Sequence, residues 1–165
     1  MSNLLVNCKS EEKAPNFSEL TKNYFNEKNQ LNPLEATVHG QNEYNDQLQL
    51  EMTDEYRTKQ KAFFDKYEKE LAAIDALKLN DEEKISFEII KWETGIGKDL
   101  LKHPTNLMPL HQFWGTHLTM GQFAGGTAAQ PFKTEKDYLN FLKRRDTYAV
   151  GMDSAMVYMT KGMAK

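Results

Sequence analysis

The 165-residue sequence has a single cysteine, Cys8, so no disulfide can form within the chain and packing alone must hold it together. No apolar run approaches the length that spans a bilayer. Basic charge is not in excess either. Lys and Arg number 21 against 24 Asp and Glu, a net charge of −3, which leaves no electrostatic footprint for nucleic acid. No stretch alternates polar and apolar residues for long enough to make a convincing strand, and no segment repeats in tandem. What is present is 39% apolar and 27% charged, with a mean hydropathy of −0.71. That balance suits one domain of long amphipathic helices, an all-α chain built from antiparallel helical hairpins.

Sets of residues that carry chemistry are also missing. "GQFAGG" lacks the lysine and hydroxyl of a phosphate loop and follows no strand. The four histidines are His39, His103, His111 and His117, none at the spacing of a zinc-binding His-Glu-x-x-His helix. His111 and His117 lie six apart, so a metal shared between them would need a bend at Gly115. Glu88 and Glu93 are five apart and point differently on a helix, so they form no ready carboxylate pair. No metal site and no catalytic set is expected within this chain.

Helix signals are plentiful. Asn16 with Glu19, Asn80 with Glu83 and Thr134 with Asp137 each have the spacing of a capping box. Phe17, Leu20, Tyr24 and Phe25 form a first apolar stripe, followed by a short helix in "NPLEATVHG" that turns into loop. Thr53 opens a helix with Phe63, Tyr67, Leu71 and Ile74 on one face. Beyond "KLNDEEK" a partner helix carries Ile85, Ile89, Trp92, Ile96 and Leu100, and His103-Pro104 stops it. A last helix runs through Tyr138, Phe141, Leu142, Tyr148 and Met152. Met152, Met156, Met159 and Met163 share one of its faces, spacing that reads as a packed apolar side. That face arrives as the sequence ends, so the fold is expected to be incomplete without a downstream part.

Between the fourth and last helices lies "MPLHQFWGTHLTMGQFAGGTAAQPFKT". Pro109 and the glycines forbid an ordinary helix throughout, while Phe113, Trp114 and Phe123 are too apolar for a free loop. Buried aromatics with Gln112, Thr116, His117 and Gln122 among them would make the wall of a cleft, with His111, Gln112, Trp114, His117 and Gln122 as the candidates to contact a substrate. A filler between hairpins, with glycine permitting close approach, explains the same residues equally well.

The opening "SNLLVNCKSEEK" is similar to the end of a bacterial lipoprotein signal peptide, with Cys8 as the lipid-anchor candidate and residues 1–15 as a disordered tether. Asn7 departs from the small residue that this pattern prefers. The acidic residues after Cys8 resemble export tags of surface lipoproteins, which places the protein in the cell envelope, periplasmic or anchored to the outer membrane.

The order of "NPLEAT", "EEKIS", "KWE", "MPLHQFWG", "PFKTEKDYLNFLKR" and "MDSAM" resembles the N-terminal portion of the bacterial family called domain of unknown function 885, from about Phe17 onward. That resemblance implies a longer, secreted or lipid-anchored polypeptide. Its later portion would carry a His-Glu-x-x-Pro-Gly-His helix similar to zinc metallopeptidases. Residues 16–165 would then be the N-terminal helical part of a larger peptidase-like domain. Zinc and general base would lie downstream, and the partners would be that catalytic portion, a peptide substrate and, through Cys8, a membrane. The rival expectation is a self-contained helical lipoprotein that binds a peptide or small ligand through the aromatic loop at 108–123.

Overall fold

The computed structural model describes residues 16–126 and 128–164, so Cys8 and the tether expected over 1–15 lie outside the described residues. Six α-helices follow in chain order: α1 (Phe17–Leu31), α2 (Pro33–Val38), α3 (Asp54–Ala72), α4 (Asp81–Leu101), α5 (Thr116–Ala124) and α6 (Glu135–Met163). The described residues contain no strand, and the all-α expectation is met. None of the helices is long and apolar enough to cross a membrane.

The capping residues act largely as their spacing implies. Asn80 and Glu83 form a reciprocal box at the start of α4, and Thr134 with Asp137 forms another at α6. Asn16 instead takes the N–H of Ser18, without a reciprocal bond from Glu19. At α6 the Asp137 carboxylate accepts N–H groups from Thr134 at 2.9 Å and Lys133 at 3.0 Å. These bonds, Thr134's first, hold its pKa below the usual carboxylate value. A depressed carboxylate stabilises the fold above its unfolded pKa of about 3.9 and loses that contribution as pH falls through the lower folded value. Asp137→Asn is therefore expected to lower the melting temperature at neutral pH. The gap between the two proteins should close as melts are repeated below about pH 4.

The main core joins α1, α3 and α4. Tyr67, Tyr24, Phe63, Leu71, Phe17, Phe87 and Ile90 meet there, with Leu20 and Leu79 completing it. Two smaller clusters pack the rest: Leu34 with Met120 and Phe123, and Met52 with Ala155 and Tyr158. Cross-links tie the two halves together. The Asp54 N–H donates to the Tyr158 hydroxyl at 2.8 Å, and Tyr56 donates to Asn32 at 2.8 Å. Arg57 reaches from α3 to the carbonyls of Leu101 at 2.6 Å and His103 at 2.9 Å. It thereby places a cation on the unsatisfied C-terminal carbonyls of α4.

The α3–α4 hairpin exists, but α4 is turned from the orientation its sequence implies. Phe87, Ile90 and Thr94 face the core, whereas Ile85, Ile89, Trp92, Ile96 and Leu100 are all exposed. Gly97 accounts for this choice. A Cβ there would lie 2.2 Å from the Phe64 ring, so the helix side bearing glycine is the one α3 can approach closely. Glu93 on the same side takes the Tyr24 hydroxyl at 2.7 Å and the Lys28 ammonium at 3.0 Å. In α6 the methionine face is likewise not the packed one. Met156, Met159 and Met163 are exposed, and the adjacent row of Arg144, Gly151, Ala155 and Tyr158 is buried.

Candidate functional site

The chain leaves α4 at Leu101 and passes through a short turn at Thr105–Leu107 before reaching the aromatic segment. This entry is held tightly. Asn106 donates to the Met52 carbonyl at 3.2 Å, and a Cβ on Gly162 of α6 would stand 2.8 Å from the Leu107 carbonyl oxygen. The exit is held as well, because Met120 and Phe123 of α5 are buried against α2 and α6. Between these two anchors the segment stands out of the fold.

Part of the stretch read as irregular is helical, since α5 occupies Thr116–Ala124. Gly115 makes the transition with φ at +128° and ψ at 169°, a conformation open essentially to glycine alone. The His117 ring would also lie 3.2 Å from a Cβ at that position. Gly115→Ala is expected to cost about 1–3 kcal/mol and to displace the start of α5. Thermal denaturation, combined with the emission maximum of Trp114 read in a Trp92→Phe background, would measure both effects.

The expected burial of the aromatics holds for Phe123 and fails for its companions. Phe113 is 78% exposed and Trp114 53%, with Met108 and Leu110 exposed beside them. The tip has internal order nonetheless. The Phe113 N–H donates to His111 Nδ1 at 3.2 Å, and the His111 ring sits edge-on to Trp114 at a centroid separation of 3.8 Å. Nδ1 being the acceptor, the neutral ring carries its proton on Nε2. His111, Gln112 and Trp114 thus share the exposed tip. His117 lies half-buried on the first turn of α5, its Nδ1 buried and without a hydrogen-bond partner, and Gln122 is exposed on the last turn.

One property of the segment escapes residue-by-residue reading. From Pro104 to Phe132 there is no Asp, Glu, Lys or Arg, in a chain that is 27% charged. Contact with another surface would desolvate no ionic group here. A running tally of charge along the sequence would have found this window.

Among the described residues, no three His, Cys, Asp or Glu side chains gather where they could hold a metal ion. Gly115 does break the chain between His111 and His117, but among the described residues these two are not joined by a third such ligand, and two donors alone do not make a zinc centre.

Two concave places lie elsewhere. A groove of about 210 Å³ opens between α1, α3 and α4, lined by Phe63, Phe64, Trp92 and Ile96 with the Lys28–Glu93 pair at its polar end. A more polar hollow of about 740 Å³ sits where Arg57, His103 and Lys161 converge near Tyr158. Neither is lined by the residues of the aromatic segment from Met108 to Phe123.

The family described as "Bacterial protein of unknown function (DUF885)" matches this chain over residues 33–165. No curated protein and no solved structure matches it.

Proposed function

Because the chain belongs to the bacterial family of unknown function DUF885, we propose that it is the helical, cleft-forming part of a secreted, zinc-dependent peptidase-like hydrolase. The observation that supports this reading is the uncharged aromatic segment, anchored at Leu107 and Phe123 and exposed between them. A cleft wall needs such a surface. Peptides are neutral along their backbone, and they are bound by apolar side chains together with a few amide and imidazole groups. Phe113 and Trp114 would supply the apolar contacts, and His111, Gln112, His117 and Gln122 the polar ones. The zinc, with the glutamate that activates water, belongs to the downstream portion in this reading. The work of the present residues is to bind, orient and exclude water. Anchoring through Cys8 would place the enzyme in the cell envelope.

The test is the intact mass and metal content of the native protein taken from its own cell membranes, with peptide hydrolysis assayed on the same preparation. The expected result is a mass several times 19.1 kDa, stoichiometric zinc, hydrolysis, and a lipid increment on the peptide that begins at Cys8. A mass near 19.1 kDa without zinc or hydrolysis overturns the reading. It would favour instead a self-contained binding module, for which the internal order of the tip speaks, since His111 and Trp114 are already packed without a ligand. In that case the melting midpoint of the chain alone should rise with added peptide.

A further inference from the structure

The polar hollow of about 740 Å³ lies where α3 begins and where α4 and α6 end, and its charges do not balance. Lys102 on its rim is already paired with Asp99 at 2.6 Å and adds no net charge. Arg57 spends its Nη2 on the carbonyls of Leu101 and His103, which are neutral acceptors, so its positive charge stays uncancelled. Lys161 enters no ion pair among the described residues, and its Nζ stands 4.3 Å from the centre of the Tyr158 ring. A cation in the last turn of α6 suits the helix dipole, but the dipole does not require it to lean over Tyr158 in the hollow. Asp54 is the one acid in the lining. Two unpaired cations against one carboxylate leave a single positive charge. A donor accompanies it. Tyr158 is only 9% exposed, its oxygen accepts the Asp54 N–H at 2.8 Å, and its own proton has no acceptor among the described residues.

We propose that this hollow binds an organic carboxylate. The ligand's carboxylate lies between the Lys161 ammonium and the Tyr158 hydroxyl, with Arg57 supplying positive field from behind and Pro104 and Leu107 bordering the body of the ligand. Charge selects a monoanion, because a phosphate dianion would exceed the single positive charge and face Asp54 as well. Size selects an organic body. A hollow of about 740 Å³ falls within the roughly 300–1,000 Å³ of small-molecule sites and far exceeds a single ion. The carbonyls at the end of α4, which would repel an anion, are already covered by Arg57. A free small acid and the C-terminal end of a peptide present this same group. The hollow uses none of the residues from Met108 to Phe123, so the inference stands or falls apart from the peptidase reading.

NMR titration of the full chain is the test, following the amides of residues 54, 103, 158 and 161. The probes are N-acetyl-trialanine with a free C-terminus, the same peptide as its C-terminal amide, acetate, and inorganic phosphate. Saturable binding of the free acid is expected, with the amide weaker by about tenfold or more. Lys161→Gln should weaken the free acid by a similar factor and leave the melting temperature unchanged, since Lys161 is exposed. Asp54→Asn should act in the opposite sense and tighten binding by about threefold, because it removes the one repelling charge. Added salt should weaken all of these interactions. A peptide that binds more tightly than acetate identifies a chain end as the ligand, and the reverse order identifies a free acid; both carry the proposal. An amide that binds as well as the acid, phosphate that binds more tightly than either carboxylate, or a Lys161→Gln chain of unchanged affinity would each overturn it.

Discussion

Arg144→Met is expected to lose about 3–5 kcal/mol of folding stability, because it orphans a set of buried acceptors without replacing them. Arg144 is 0% exposed in the middle of α6. Its Nε donates to the Gln47 carbonyl at 2.8 Å and its Nη1 to Gln130 Oε1 at 2.6 Å. Its Nη2 reaches the Tyr44 carbonyl at 2.6 Å and the Thr37 hydroxyl at 2.9 Å. The hydroxyl passes its own proton to Asn45 at 2.8 Å, and the Phe123 ring lies 5.6 Å from the guanidinium carbon. Among the described residues no carboxylate pairs with it. Burial pulls the guanidinium down to about 10, with Asp46 acting in the opposite sense, so it stays charged at neutral pH. A forked donor is what so many neutral acceptors require, and lysine cannot span them. Methionine keeps the volume, so the loss reports the hydrogen bonds rather than a cavity. Urea denaturation gives the number, and a loss under about 1 kcal/mol would show that the network contributes little net stability.

The same substitution reaches the candidate site. Gln130 and Phe123 both lean on Arg144, and together they fix the far end of the uncharged segment. Hydrogen exchange in residues 116–132 should therefore accelerate more in Arg144→Met than exchange in α3.

Helix positions were legible in the sequence because caps and breakers are local. Asn80, Thr53 and Thr134 stand where the helices begin, and His103-Pro104 follows where α4 ends. Helix orientation was less legible because it depends on what lies opposite. In α4 the larger side chains form the row that faces outward, and the packed row is marked by a glycine, which leaves little trace in a hydrophobicity pattern. In α6 the inward row, half-buried Phe141 and Tyr148 with buried Arg144, Gly151, Ala155 and Tyr158, has helical spacing of three and four. An arginine and a glycine hide it, while the methionines one position along attract attention instead. Arg144 could have been recognised from that spacing; its neighbour Arg145 shows how little residue type alone reveals, being exposed and paired with Asp146. For the aromatic segment the sequence implied burial that Phe113 and Trp114 do not have. Phe113 and Trp114 look like core by type, and only the anchors on either side, at Leu107 and Phe123, determine that they stand outside it.

Tyr67→Ala is the second large loss, about 3–5 kcal/mol, and its comparison with Trp92→Ala separates folding from surface use. Tyr67 is 0% exposed, with Tyr24 edge-on at 4.8 Å and Phe63 at 4.9 Å between ring centroids. Removing its ring leaves a hollow bounded by aromatics that cannot collapse without breaking their own contacts, so the cavity adds to the lost transfer energy. Tyr67→Phe should cost little, since the buried hydroxyl has no hydrogen-bond partner among the described residues and phenylalanine keeps the packing. Trp92 is the larger side chain, but it is 66% exposed, so Trp92→Ala should lower stability by less than about 1 kcal/mol in dilute solution. Denaturation of the three variants at low protein concentration provides the measurement. If Trp92→Ala proves as costly as Tyr67→Ala, the outer face of α4 is part of the core of the isolated chain, and the orientation of that helix described above is wrong.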